Sequence, residues 1–264
     1  FRMAVRAGGT RRLEERIATA RGDDPDATPT DAAAAILELA TLLNTHDRRT
    51  RGHSERVRVF ADLLGEELQL PQEDRDRLRW AALLHDIGKL SVPASILNKP
   101  GKPTDDEWAV LQGHPDEGEA FLAPLQGWLG PWTLAATQHH ERWDGAGYPN
   151  GLAGHDISLG ARIVSVADSY EVMTAARAYK RPMSADAARA ELARCAGSQF
   201  DPVVVRAFLG ISLGRLRFAA GPVAWLAQIP FLGEIPRLAT AGGAMPNAVL
   251  AAQTSMATAA MATA

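Results

Sequence analysis

Helical periodicity is the feature that most constrains the fold of this chain. Between positions 31 and 210 the apolar residues recur at the three- and four-residue spacing of amphipathic helices, and convincing alternating strand patterns are absent. The predicted helix over residues 52–68, for example, places Val57, Ala61 and Leu64 on one face. Further helices are predicted over residues 31–44, 158–174 and 184–196, and another begins at Asp201–Pro202. The sequence therefore predicts an all-α fold.

The charge balance and the cysteine content exclude several classes of protein. The 264 residues include 28 basic and 31 acidic side chains, a net charge of −3, so neither a polybasic nucleic-acid binder nor an acidic tail protein is indicated. No DNA or RNA binding is expected. Cys195 is the one cysteine, which excludes a disulfide framework and a four-cysteine zinc site and favours a cytoplasmic protein. Any metal must be held by carboxylates and by some of the seven histidines.

Composition changes along the chain divide it into three predicted parts. Residues 1–29 are interpreted as a linker or the end of a missing N-terminal region, because the chain starts with Phe1 and residues 23–30 are rich in Asp, Pro and Thr. Residues 30–210 form the predicted main domain. Residues 211–264 form an apolar C-terminal extension, expected to be helical or disordered, with a low-complexity tail. A membrane tether outside this chain is a further hypothesis.

Three ionisable residues, His85, Asp86 and Lys89, follow the apolar end of a predicted helix. Burying a charged group without a partner costs much free energy, and metal coordination removes that cost. A carboxylate with two oxygens can also bridge two ions. Gly88 is expected to let Lys89 turn back toward the same site.

Further histidines and an aspartate fall on predicted apolar helix faces. His114 is expected on one stripe with Trp108 and Leu111, and Asp168 interrupts the apolar run of residues 163–167. Each residue alone has a plain interpretation, either a buried histidine with a hydrogen bond or a carboxylate bonded to the backbone. Coincidence does not explain the whole inward-facing set, which is His53, His85, Asp86, His114, His139, His140 and Asp168.

Imidazole and oxygen ligands without thiolate suit iron, manganese, zinc or nickel, and a shared carboxylate indicates two metals. Two ions ~3.5–4 Å apart can activate water and hold a phosphoester in line for hydrolysis. Metal-assisted phosphoester hydrolysis is therefore the predicted chemistry, with Lys89 as proton donor or as stabiliser of the leaving oxygen. The Gly- and Pro-rich segment over residues 143–156 is predicted to be a functional loop.

Four stretches, with others between and after them, carry a close resemblance to a known family over about residues 30–210. They are His53–Val57 (HSERV), His85–Lys89 (HDIGK), Ile96–Lys102 (ILNKPGK) and His139–Pro149 (HHERWDGAGYP). In these motifs the chain resembles the HD-GYP family, a branch of the HD phosphohydrolases. The resemblance implies a helical HD bundle around a bimetal centre. It also implies hydrolysis of cyclic di-GMP to pGpG, GMP or both in bacterial signalling.

The resemblance also implies roles for individual residues. His53, His85, Asp86 and Asp168 match the family's core metal ligands, with Asp86 bridging. The remaining matches are His114, His139 and His140 as ligands of the second metal, Lys89 as catalytic lysine, Arg177 and Lys180 as phosphate-binding residues, and Gly145, Gly147, Tyr148 and Pro149 as residues that shape the substrate loop.

One departure from the family pattern bears on the number of metal ions. Arg49 stands where members with three metals carry a carboxylate, so two ions are expected, iron or manganese.

Two alternatives remain for the function. The first alternative is hydrolysis of another cyclic dinucleotide or nucleotide. The second is a catalytically silent domain that binds cyclic di-GMP or a signalling partner. A diguanylate cyclase and a second copy of the chain are hypothetical partners.

Overall fold

Helices form the regular structure of the chain wherever its structure is described, as the sequence predicts. The computed structural model describes residues 41–43, 46–47, 52–175 and 181–220. In these ranges there is no strand, and β pairing is limited to isolated bridges between Asp144 and Ala153 and between Ala196 and Phe200. The chain divides into two compact units, Phe1–Ala219 and Ala220–Ala264, and the account below concerns the first.

The helices are numbered here in chain order over the described ranges. The α-helices are α1 (His53–Glu67), α2 (Gln72–Leu84), α3 (Ala94–Leu97), α4 (Asp105–Gln112), α5 (His114–Leu122), α6 (Gln126–Leu129), α7 (Leu134–Gln138), α8 (Leu159–Thr174), α9 (Ala185–Arg194), α10 (Pro202–Gly210) and α11 (Leu213–Ala220). Short 3-10 helices cover Ile87–Ser91, Ala123–Leu125, Gly130–Thr133 and Gly154–Asp156. Residues 41–43 are also helical.

Side chains at the helix starts explain why several helices begin where they do. Ser158 accepts a hydrogen bond from the Ala161 amide at the start of α8, and Asp201 accepts one from the Val203 amide ahead of α10. These caps satisfy amides that have no partner within the helix. The capping box that the sequence predicts between Thr104 and Glu107 is present at the start of α4.

The larger of two hydrophobic clusters lies where α1, α2, α8, α9 and α10 pack together. Phe60 of α1 meets Tyr170 of α8 edge to face at 5.0 Å, and Tyr170 in turn lies 4.7 Å from Phe208 of α10. All three rings are buried, so this cluster fixes α1 against α8. Those two helices carry His53 and Asp168.

A second buried cluster lies beyond the C-terminal end of α2. It joins Leu84 and Ile87 to Phe121 and Leu122 of α5. His85 and Asp86 fall between Leu84 and Ile87 in the sequence, so the turn that carries them is held by apolar neighbours on both sides. Rigid packing of this kind keeps polar side chains in one geometry.

Gly88 brings the start of α5 against the turn after α2. A Cβ atom at Gly88 would lie 1.9 Å from the carbonyl oxygen of His114 and 2.6 Å from the amide nitrogen of Gly118. Only a residue without a side chain fits at that distance. The sequence predicts that Gly88 lets the chain turn so that Lys89 faces the site. The close contact between the backbones of Gly88 and α5 is a second reason for glycine at this position.

The predicted stripe of Trp108, Leu111 and His114 is wrong in part. His114 is buried, but it opens α5 instead of ending α4, because the break at Gly113 and Pro115 separates the two helices. Trp108 is 49% exposed, and α4 contains no buried residue. The His114 side chain therefore owes its burial to α5.

The predicted division at residues 29/30 and 210/211 stays a prediction, because residues 1–40 and 221–264 lie outside the described ranges. Leu216 of α11 is buried in the larger cluster. In the part of the chain that the structure describes, no helix combines the length and the apolarity needed to cross a bilayer.

Candidate metal centre

Asp86 lies at the centre of a group of buried histidines. Its oxygen Oδ2 lies 3.9 Å from Nε2 of His53 and 3.5 Å from Nε2 of His85. The other oxygen, Oδ1, lies 3.4 Å from Nε2 of His114 and 3.7 Å from Nε2 of His139. The two oxygens of one carboxylate therefore face two different sets of imidazoles.

The set that faces Oδ2 is called the His53 side and consists of His53 and His85. Their ligating atoms and one oxygen of Asp86 all lie within 4.8 Å of one another. The Asp168 carboxylate adds a further oxygen, 3.2 Å from Nε2 of His53. These groups come from three helices, since α1 supplies His53, the end of α2 supplies His85, and α8 supplies Asp168.

The set that faces Oδ1 is called the His114 side and consists of His114, His139 and His140. Together with Asp86 they place four ligating atoms within 4.8 Å of one another. Nε2 of His114 and Nε2 of His139 are 3.4 Å apart. His114 stands at the first position of α5, while His139 and His140 follow α7. This donor set is three imidazoles and one shared carboxylate.

Backbone carbonyls fix the orientation of three of these rings. The Nδ1 atoms lie 2.7 Å from Ala82 O in His85, 2.7 Å from Leu111 O in His114, and 3.0 Å from Ala136 O in His139. A carbonyl oxygen only accepts, so the proton of each neutral ring is on Nδ1. The Nε2 lone pairs are then free to bind a cation, the arrangement that ligating histidines adopt.

His53 is oriented differently, by a carboxylate. Its Nδ1 lies 2.6 Å from Oε2 of the buried Glu171, and Nε of Arg56 donates to Oε1 of the same carboxylate over 2.7 Å. Glu171 stands three residues after Asp168, one turn further along α8. The two carboxylates of α8 thus contact both nitrogens of one imidazole.

His53 differs in its electrostatics from the neighbouring histidines. Burial lowers the pKa of His85, on the same side, to about 4. Burial lowers the pKa of His140 to about 2 and also lowers the pKa of His114. Burial would lower the pKa of His53 as well, but the hydrogen bonds to Asp168 and Glu171 outweigh it and raise this pKa to about 9. The metal-free His53 side therefore attracts positive charge, which a proton or a cation can supply.

Lys89 completes the surroundings of Asp86. Its Nζ lies 2.6 Å from Oδ2. Burial would lower the pKa of Lys89, but the charge of Asp86 outweighs it and raises this pKa. Burial would likewise raise the pKa of Asp86, while Lys89 and His85 hold it well below its usual range. Lys89 is thus a fixed positive charge beside the oxygen that both histidines of the His53 side approach.

A cavity of about 270 Å³ opens beside the His114 side. Its wall is formed by the segment after His140, by α8 and by Gln199. The segment supplies Glu141, Arg142, Ala146, Gly147 and Tyr148, and α8 supplies Ser165, Asp168 and Ser169. Tyr148 stacks on His140 with ring centroids 4.7 Å apart and planes 20° apart. Pro149 follows through a cis peptide bond, and Gly145 has a φ of +80°. The loop predicted to be functional therefore does border the cavity.

Comparison with known proteins decides the family. The sequence model of the HD domain family matches residues 38–204, more than half of the chain. The chain belongs to the HD domain family. The predictions of HD membership and of an all-α HD bundle are confirmed.

Relatives of this HD domain are named phosphodiesterases of cyclic dinucleotides. A cyclic di-GMP phosphodiesterase response regulator of Xanthomonas campestris is 43% identical over 175 residues, covering 66% of this chain and 46% of the relative. A 3'3'-cGAMP-specific phosphodiesterase of Vibrio cholerae is 44% identical over 169 residues, covering 63% and 36%. The chain thus spans less than half the length of these curated relatives.

A solved structure shows the same fold. The crystal structure of a cyclic GMP-AMP-specific phosphodiesterase from V. cholerae superposes with a TM-score of 0.53 at 18% identity, covering 72% of this chain and 51% of that one. This likeness supports the helical HD architecture described above.

The HD domain brings the seven predicted ligands together, although their role as ligands stays a prediction. Five of them are buried, and His140 and Asp168 are half-buried beside the cavity. Arg177 and Lys180, the predicted phosphate-binding residues, lie outside the described residues, as does Arg49.

Sequence reasoning missed two buried carboxylates that support the HD site. The sequence motifs assign no role to Glu171, and they include Glu141 only within the HHERWDGAGYP stretch. The spacing of Glu171 from Asp168, one helical turn, is a signal that could have placed it near His53. Glu141 lies next to His140 in the sequence, and its hydrogen-bond partners are backbone amides, which leave no pattern in side chains.

Proposed function

We propose that this HD domain is a metal-dependent phosphodiesterase that hydrolyses cyclic di-GMP to pGpG, GMP or both. The observation that carries the proposal is the position of Asp86. Its two oxygens face two separate sets of imidazoles at the edge of a cavity. A carboxylate placed between two sets of imidazoles supports a site for two divalent ions, which can hold and hydrolyse a phosphodiester.

The donor set fits a pair of divalent transition metals. His53, His85 and Asp168 would hold one ion and His114, His139 and His140 the other, with Asp86 shared between them. Imidazole and carboxylate together suit iron or manganese, the two metals that we propose. Ions bound there would polarise the phosphodiester and activate the attacking water.

Lys89 has the position of a proton donor in this proposal. Asp86 holds its ammonium group beside the centre and keeps it charged. When the phosphodiester bond breaks, the leaving oxygen gains negative charge, which an adjacent ammonium group stabilises and protonates. We assign this role to Lys89 and the shared-ligand role to Asp86.

Contacts with the substrate beyond the metal centre are proposed for the loop that borders the cavity and for the segment after α8. Gly147 and Tyr148 line one wall of the cavity, and Gly145 and Pro149 are proposed to shape the loop that carries them. Arg177 and Lys180, close after α8 in the sequence, are proposed to bind the substrate phosphates.

A second candidate substrate is 3'3'-cGAMP. A relative of that printed specificity is 44% identical to this chain, as similar as the relative named for cyclic di-GMP at 43%. The two substrates share both phosphodiester linkages and differ in one base. The metal centre therefore serves either one.

Turnover measurements test the proposal. The chain would be purified anaerobically, loaded with iron(II) or manganese(II), and given cyclic di-GMP or 3'3'-cGAMP in parallel. We expect hydrolysis of cyclic di-GMP by the parent and none by Asp86→Ala, while Asp106→Asn, a change at an exposed aspartate, leaves the rate unaltered. Faster turnover of 3'3'-cGAMP would favour the second candidate. If the chain binds two metal ions but hydrolyses neither cyclic dinucleotide, an enzymatic role would be contradicted.

The proposed protein partners rest on the resemblance alone. A diguanylate cyclase would supply the substrate, since it makes what this domain removes. Size measurements on the purified chain test the proposed homodimer, and pull-down with a purified diguanylate cyclase tests the second interaction.

A further inference from the structure

Glu141 is buried at the start of the loop that borders the cavity. The residue is 3% exposed, and its carboxylate accepts two backbone hydrogen bonds, from the Asn150 amide at 2.7 Å and from the Leu152 amide at 3.0 Å. Among the described residues no cation forms an ion pair with it. Each carboxylate oxygen thus holds one amide of the far end of the loop.

The middle of the loop, at Gly147, packs directly against the backbone at the start of the loop, at Glu141. A Cβ atom at Gly147 would lie 2.6 Å from Cα of Glu141, so the two backbones touch. The Tyr148 amide donates to the carbonyl of His140 over 3.3 Å, and the Tyr148 ring stacks on the His140 ring. Closure of the loop onto Glu141 therefore places Tyr148 against His140.

Other hydrogen bonds anchor the outer part of the same loop. The Trp143 amide donates to Gln199 O over 3.1 Å, and the Asp144 amide donates to Ser198 O over 2.8 Å. These contacts do not involve Glu141. The Glu141 carboxylate is therefore specific to the return of the chain at residues 150–152, next to the cavity wall formed by Gly147 and Tyr148.

We infer that Glu141 is a positioning residue for the substrate. By holding the amides of Asn150 and Leu152 it keeps the loop closed, and the closed loop sets the wall of the cavity where a cyclic dinucleotide extends beyond the metal centre. This inference rests on the proposed function. It assigns Glu141 to substrate affinity and not to the bond-breaking step.

The variant Glu141→Gln tests this role with little change in volume. A glutamine offers one acceptor oxygen, and its NH₂ group then faces a backbone N–H, so one of the two hydrogen bonds is lost. Glu119→Gln makes the same chemical change at an exposed position on α5 and is the matched control. Gly147→Ala disturbs the same loop without touching the carboxylate, and it keeps the inference testable if Glu141→Gln does not fold.

Amide hydrogen exchange of the metal-loaded chain is the first readout, since it needs no substrate. We expect exchange at Asn150 and Leu152 to accelerate about tenfold or more in Glu141→Gln, because a hydrogen bond to a charged acceptor is lost. Amides of α8 serve as an internal reference. Unchanged exchange at both amides would overturn the inference.

Kinetics with two substrates form the second readout. Bis(4-nitrophenyl) phosphate is a small phosphodiester that engages mainly the metal centre, whereas cyclic di-GMP also needs the cavity. We expect KM for cyclic di-GMP to rise about tenfold in Glu141→Gln and Gly147→Ala with a smaller fall in kcat, so that kcat/KM for cyclic di-GMP relative to the small ester falls about tenfold. Glu119→Gln should leave the ratio at the parent value.

The outcomes separate this inference from the proposed function. Equal losses with both substrates would overturn the inference, because Glu141 would then act on the metal centre itself. A parent that turns over the small ester but neither cyclic dinucleotide would refute the proposed function. In that case faster exchange in Glu141→Gln would still establish that Glu141 holds the loop, while its assignment to cyclic dinucleotide affinity would fall.

Discussion

The two sides of the candidate centre share Asp86 but are supported by different groups. On the His53 side, carboxylates of α8 contact both nitrogens of His53. On the His114 side, the Nδ1 atoms of His114 and His139 meet backbone carbonyls. Charge thus orients His53, whereas backbone carbonyls orient His85 on the same side and His114 and His139 on the other side.

The different groups around the histidines indicate which interactions give each side its affinity for a cation. Extra carboxylate charge favours a divalent ion on the His53 side, and the raised pKa of His53 expresses the same field. On the His114 side, burial lowers the pKa values of His114 and His140, so these two imidazoles favour the neutral form that binds a metal ion. We therefore expect the His53 side to depend on its outer carboxylate and the His114 side to depend on the fit of its rings.

Removing the shared carboxylate should have the largest effect, because it affects both sides at once. We expect Asp86→Asn to lower phosphodiesterase turnover by about a thousandfold or more, since metal ions contribute several kcal/mol to the transition state. Metal analysis should show both ions lost or greatly weakened, with helical content by circular dichroism retained. A variant that kept both ions and full turnover would show that Asp86 is not shared.

Loss of one histidine from each side should separate the sides. We expect His53→Ala to weaken the ion between His53 and His85, and His140→Ala to weaken the ion on the His114 side, each leaving close to one ion per chain. Turnover should fall at least about a hundredfold in both, since the two-metal clamp needs both ions. Metal content by mass spectrometry measures this, with exposed His155→Ala as the control. Loss of both ions in either variant would show that the two sides do not bind independently.

The outer carboxylate of the His53 side offers a finer test. Glu171→Gln keeps an acceptor for His53 but removes the charge that Arg56 and His53 share. We expect affinity for the ion on the His53 side to fall about 10- to 100-fold, the usual effect of losing a partner behind a ligating histidine. Competition with a chelator measures it, and Glu119→Gln supplies the comparison. An equal fall on the His114 side would contradict the separation.

The sequence draws attention to the residues of the candidate centre because they violate a pattern, while their role as ligands stays a prediction. Asp168 interrupts the apolar face of α8, and His85 and Asp86 directly follow the apolar last turn of α2. A polar group on a buried face needs a partner, so periodicity alone indicates that these residues meet. The helix starts at Ser158 and Asp201 followed from capping chemistry in the same way.

Other features depend on contacts that a sequence pattern does not contain. The carbonyls of Ala82, Leu111 and Ala136 that orient the rings belong to the backbone, which every residue shares. The apolar stripe on α4 pointed Trp108 inward, yet the break before α5 left it exposed. Which oxygen of Asp86 faces which histidines likewise depends on how four helices pack, and only the folded chain determines it.

The smallest expected effect is a proton count, and it measures the electrostatic difference between the sides directly. At pH 7.5 the metal-free His53, with a pKa of about 9, carries a proton, while His140, with a pKa of about 2, carries none. A cation that binds Nε2 of His53 must displace that proton. Binding of the ion on the His53 side should therefore release nearly one proton from His53, whereas His140 has no proton to release when the ion on the His114 side binds.

Calorimetric titration of the metal in buffers of different ionisation enthalpy gives this count. Release should decline as the pH rises through about 9, where metal-free His53 is already neutral. The same shift stabilises the metal-free fold below pH ~6.5, the ordinary pKa of histidine, and this stabilisation is lost as the pH rises through about 9. His53→Ala should abolish the release on that side. Equal release on both sides would mean that α8 does not set the charge difference, and the contrast between charge and backbone geometry would have to be abandoned.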